Sequence, residues 1–155
     1  MIRWLQGGLA GLAVLLAAAA PAHAVEVCAW VNETIGEDDY HELELWLEAD
    51  GKTDFLYKIK GEGLRTENMQ AHAPNSGTLV LHARQPSQPW GFGATLSPPG
   101  EIDVVVELRA WPKDIFSEEE TPLLASFTFR RRVPEGETQP PRDFATRRCA
   151  TLKAP

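Results

Sequence analysis

Little in this chain of 155 residues carries chemistry that can be named on sight. It has two cysteines, two methionines and four histidines. It contains no G-x-S-x-G, no H-E-x-x-H and no glycine-rich phosphate loop following a strand, so no motif-defined hydrolase, metalloprotease or nucleotide site is indicated. The cysteines do not form a C-x-x-C pair, the ligand spacing of a zinc thiolate site. A basic surplus is also missing: 15 Lys and Arg face 22 Asp and Glu, for a formal net charge of −7. Nucleic acid and anionic membrane surfaces both demand a basic face, so neither is expected as a partner. Arg130-Arg131-Arg132 and Arg147-Arg148 are local exceptions, and the first run reads as strand-end charges pointing in alternating directions.

What is present begins with a leader. Arg3 precedes an unbroken apolar run from Leu9 to Ala20, and Pro21-Ala22-His23-Ala24 supplies the small-x-small pattern of a signal-peptidase site. The run is short of the ~20 residues a bilayer span requires, so residues 1–24 are expected to be a cleaved signal peptide rather than an anchor. The mature product is then periplasmic or secreted, with no membrane span. In an oxidising compartment Cys28 and Cys149, near the two ends of the mature chain, are expected to form one disulfide. Closing so long a loop, about 120 residues, is worth about 4–5 kcal/mol on the chain-entropy model.

From Val25 to Pro155 a single domain is expected. Period-two alternation is pervasive, and Pro and Gly punctuate it at short intervals, which is the pattern of an all-β, single-domain antiparallel β-sandwich. We expect an immunoglobulin-like or similar arrangement of about seven to eight strands with a terminal disulfide, ending in an irregular tail over 134–155. Val25 to Val31 reads as the first strand, and 33–39 as a polar loop. His41 to Glu48 places Leu43, Leu45 and Leu47 on one face, and Asp54 to Lys60 does the same with Phe55, Tyr57 and Ile59. Asp50-Gly51 between them suggests a hairpin. A three-residue loop sets Leu47 against Phe55 and Glu44 against Lys58, so apolar and charged pairs agree. Gly77 to Arg84 and Glu101 to Trp111 are further strands, the latter with Ile102, Val104, Val106 and Leu108 inward. Leu123 to Arg131 follows, with Phe127 and Phe129 inside.

Histidines 41, 72 and 82 with Met69 could be imagined as a copper site, but no tight His-x-His pair or thiolate supports it. The acidic stretch Glu37-Asp38-Asp39 lacks calcium-loop spacing and reads as a solvated face. No cofactor or catalytic residue is therefore assigned. The aromatic residues remain. Trp46 and Trp111 share strand faces with charged residues, and Trp90 and Phe92 alternate with Gly91 and Gly93 beside prolines, as on an edge strand or loop. These four are the candidate binding residues, because exposed aromatics on a sandwich serve to hold a partner or stack on a sugar ring. The expected function is a non-catalytic binding module of the cell envelope. It would hold another envelope or extracellular protein through a sheet edge or the Trp90–Phe92 segment, with carbohydrate binding as the alternative and a small hydrolase or metal-handling protein third.

Overall fold

The computed structural model describes residues 24–67, 70–71, 74–113 and 120–152. Residues 1–23 of the expected leader lie outside the described residues, as do Met69, His72 and Phe116. Among the described residues nine strands form: β1 Val25–Ile35, β2 Tyr40–Ala49, β3 Thr53–Thr66, β4 Gln70–Ala71, β5 Asn75–Leu81, β6 Ser87–Thr95, β7 Gly100–Arg109, β8 Leu123–Val133 and β9 Arg148–Leu152. A 3-10 turn, Glu37–Asp39, joins β1 to β2. Alternation of apolar and polar residues is the reason for these strands, since each can then bury one face and solvate the other.

The strands divide into two antiparallel sheets. Sheet A has the order β6-β2-β1-β9; sheet B has β4-β3-β7-β8, with β5 also paired to β3. Their inner faces meet in one core. Val27, Ala29 and Val31 of β1 and Leu43, Leu45 and Leu47 of β2 oppose Phe55, Tyr57 and Ile59 of β3, Ile102 to Leu108 of β7, and Phe127 and Phe129 of β8. The chain is thus an all-β sandwich.

The hairpin expected at Asp50-Gly51 does not form. Every inward residue assigned to it is buried, but β2 pairs with β1 and β6 while β3 pairs with β5 and β7, so the turn carries the chain from one sheet to the other. Leu45 and Tyr57 enter the core from opposite sheets instead of sharing a ladder. Glu44 and Lys58 therefore point to opposite outer surfaces. Lys58 approaches Glu120 and Lys60 bonds Glu107. The loop expected over 33–39 is also shorter, because β1 runs on to Ile35.

Two glycines are demanded by local geometry. Gly61 has φ +99°, and a Cβ there would lie 2.5 Å from the Asp103 carbonyl oxygen, at the point where the register of β3 on β7 shifts between Lys60 and Gly63. At Gly77 a Cβ would lie 2.9 Å from the Tyr57 hydroxyl, which passes beneath β5 and donates to the Pro89 carbonyl of β6 at 3.4 Å. Tyr57 thereby ties the edge of sheet B to the edge of sheet A.

The tail is less irregular than its prolines suggest. Phe144 enters the core, and β9 then pairs with β1 in a register that places Cys28 opposite Cys149. The two form the disulfide, with Cα atoms 4.0 Å apart. Formation of this bond fits an oxidising compartment. Among the described residues, no helix is long and apolar enough to cross a membrane.

Candidate functional site

Trp90 is corrected by the structure. It is 5% exposed and belongs to the core, because its partner across the ladder is the inward Leu45. Phe92, opposite Leu43, is partly buried against the same core, its ring near-parallel to Trp90 with centroids 6.1 Å apart. The edge position expected for this segment is correct, since β6 borders sheet A. The missing side chains of Gly91 and Gly93 concern the outer face and leave the tryptophan free to pack inward.

Trp46 lies on the outer face of sheet A directly opposite Trp30, with ring planes 10° apart and centroids 6.3 Å apart. Its indole N–H donates to Glu44 at 3.2 Å. From the tail, Arg147 sets its guanidinium 4.6 Å from the Trp30 ring and pairs with Glu48 at 3.1 Å. Trp30 could have been found from its even spacing with Cys28 and Asn32 on the first strand.

Histidine 41 is 1% exposed and bonds Glu33 at 2.6 Å. Arg131 reaches the same carboxylate with two N–H groups, at 2.8 and 2.7 Å, and stands 2.5 Å from Glu137. Side-chain exposures of 1% for His41, 0% for Glu33 and 7% for Arg131 withdraw all three from bulk solvent. This cluster braces one end of the sandwich. Burial pulls the Arg131 pKa down, but the hydrogen-bonded Glu33 and Glu137 carboxylates outweigh it and hold it above its ordinary value. Its neighbours Arg130 and Arg132 turn outward to Asp103 and Glu101, the alternation expected of that run.

The outer face of sheet B carries a charge ladder. On central β7, Glu107 takes Lys60 at 2.7 Å and Arg109 at 2.9 Å. The Lys60 bond lowers the Glu107 pKa, burial opposes it, and Arg109 adds to the lowering, so the net direction is down. Glu101 lies between Arg65 and Arg132.

Of the large apolar side chains left in solvent, Val80 (48% exposed) and Leu123 (52%) lie on strands of this sheet, Trp111 (42%) follows the end of β7, and Tyr40 (45%) lies on β2 of sheet A. Thr78, Leu56, Arg109 and Leu123 fall in one cross-strand row. Trp111 is the one expected binding residue that is freely exposed.

Strand edges complete the picture. An unpaired edge is a template for another strand, and proteins blunt it with charge, proline or cover. Edge β6 contains Pro89, and the Tyr40 ring covers Gly93. Edge β8 carries three arginines, and Arg148 donates to its Thr128 carbonyl. Edge β9 has five residues and β4 two. β5, with the sequence NSGTLVL, has no charge, no proline and no bulge against β3. Its far end is hooked to sheet A, where Arg84 N–H donates to the Ala49 carbonyl at 2.7 Å. No described strand pairs with its other side. The absence of charge over 75–81 was visible in the sequence, but its place at an edge was not.

No family model, no curated protein and no solved structure matches this chain.

Proposed function

We propose that this chain is a periplasmic or secreted, non-catalytic binding module that takes an extended segment of another envelope protein as an added strand on β5. One observation carries the reading: β5 is the single described edge of useful length left neutral, regular and free of proline, beside exposed Val80. In an antiparallel ladder alternate residues turn both backbone groups to the same side, so every second residue of β5 offers an N–H and a C=O to a newcomer. Main-chain pairing supplies affinity in this mode, and side-chain pockets supply specificity. The leader pattern read over residues 1–24, together with the Cys28–Cys149 disulfide, supports the compartment. Carbohydrate recognition on the outer face of sheet A ranks behind it, because Arg147 already occupies a face of Trp30 and the Trp46 N–H is spent on Glu44.

The test is selection of short random peptides on the disulfide-bonded protein, followed by N-methylation of alternate residues in the peptides recovered. Strand addition requires that methylation at one parity abolish binding while the other parity is tolerated. Equal tolerance at both parities, or binding lost on Trp46→Ala and kept on Thr78→Lys, contradicts it.

A further inference from the structure

A hollow of about 360 Å³ lies on the outer face of sheet B immediately beside β5. Leu56 and Tyr57 line it from β3, and Arg109, Pro112, Glu120 and Thr121 close its far side. Its near wall is Ser76, Gly77 and Thr78, all small, so a side chain beyond β5 meets no barrier. Register sets Thr78 beside Leu56 and Ser76 beside Lys58. A strand added to β5 stands about 10 Å from β3, two inter-strand spacings. A leucine or aromatic side chain leaning across Thr78 covers part of that distance, and the Leu56 side chain, leaning towards it through the hollow, can close the remainder.

The charges in the hollow differ in freedom. Arg109 is held on three sides, by Glu107 at 2.7 Å, by Glu120 at 3.3 Å and by the Thr121 carbonyl at 2.7 Å. Lys58 is held loosely, 3.8 Å from Glu120, with 46% and 66% of the two side chains exposed. Pairs of that kind contribute little and are readily exchanged. The Lys58 ammonium can swing across Ser76 to a carboxylate on an incoming strand.

Resting on strand addition at β5, we infer that this hollow reads the partner's side chains: a large apolar residue opposite Thr78, and an acidic residue two positions away, opposite Ser76. Val80 continues the row and favours a β-branched residue two positions to the other side. The occupant is an extended segment of a different protein. A second copy of β5 paired about Thr78 would set threonine where the hollow wants a large apolar side chain and Val80 where Lys58 wants a carboxylate.

Peptides selected as above test the assignment. The enriched set should alternate, with a leucine or aromatic residue and a carboxylate two positions apart. Lys58→Glu should weaken those peptides about tenfold and shift the selected residue from acidic to basic. Leu56→Asn should erase the preference for a large apolar residue. Both side chains face outward, and an unchanged melting temperature confirms that the variants fold. Peptides that need their backbone N–H groups yet show no positional preference, or a preference untouched by Lys58→Glu, overturn the hollow's role and leave strand addition standing. Failure to select any peptide, or indifference to N-methylation, overturns both. Sedimentation showing self-association that Thr78→Lys removes assigns the edge to a second copy and overturns the foreign partner.

Discussion

Replacing Arg131 by methionine isolates the energetics of the buried cluster. The guanidinium makes two hydrogen bonds to Glu33, at 2.8 and 2.7 Å, and a contact with Glu137 at 2.5 Å, and it lies 5.5 Å from the Phe144 ring centroid. Methionine keeps much of the apolar stem but takes both guanidinium hydrogen bonds from Glu33, whose side chain is 0% exposed and which keeps its contact with His41. Removing one member of a buried ion pair costs about 3–5 kcal/mol, because the remaining charge is stranded away from water. Against a total stability of roughly 5–15 kcal/mol this is a large share. At about 3 °C per kcal/mol for a domain of this size, the melting temperature should fall by about 9–15 °C. Urea unfolding followed by tryptophan fluorescence measures it, with Glu33→Gln and the double variant completing a cycle. The two single losses should exceed the double loss by about 1–3 kcal/mol, the coupling of groups in one network. An Arg131→Met cost below about 1 kcal/mol, or strict additivity, would refute the cluster as a brace.

Trp90→Ala should cost about 3–5 kcal/mol by urea unfolding, as loss of a buried aromatic ring does, whereas a cost near zero would return the residue to the surface. Glu107 has a lowered pKa in the folded state, so its contribution to stability is present above the usual glutamate value of 4.5 and is lost as the pH falls below it. Unfolding titrations between neutral and acid pH should therefore show a steeper acid loss in the wild type than in Glu107→Gln; parallel curves would contradict the Lys60 and Arg109 assignment. Reduction of the disulfide, or Cys28→Ala with Cys149→Ala, releases residues 121 positions apart and should cost about 2–5 kcal/mol, and the untreated protein should yield no free thiol to alkylation.

The alternation of residues was enough to place the inward side chains it named on β2, β3, β7 and β8, because a two-residue period assigns faces whichever strand lies alongside, while the buried residues of β1, β6 and β9 went unnamed. It was silent on which sheet a strand joins. Leu43, Leu45 and Leu47 look the same whether Phe55, Tyr57 and Ile59 stand beside them or across the core, and the matching charges of Glu44 and Lys58 rewarded the wrong choice. Terminal placement made the disulfide legible, and β9 follows from it as the strand that carries Cys149 to Cys28. Glu33 was hidden in a polar stretch, its partner Arg131 lying 98 residues away. Trp90 was misjudged from its glycine neighbours because the parity of β6 depends on its pairing with Leu43 and Leu45. A charge-free strand such as Asn75–Leu81 is ordinary in the middle of a sheet and consequential at its margin, and only the topology separates the two cases.

Amide hydrogen exchange across 75–81, with and without a selected peptide, tests strand addition most directly. In the free protein the amides of β5 that face β3 should be protected and the alternate ones should exchange freely. Peptide should slow the fast set alone, while β6, β8 and the outer face of sheet A stay unchanged. Protection that appears at β6 or around Trp30 and Trp46 instead, or β5 amides that exchange alike with and without peptide, would contradict the account.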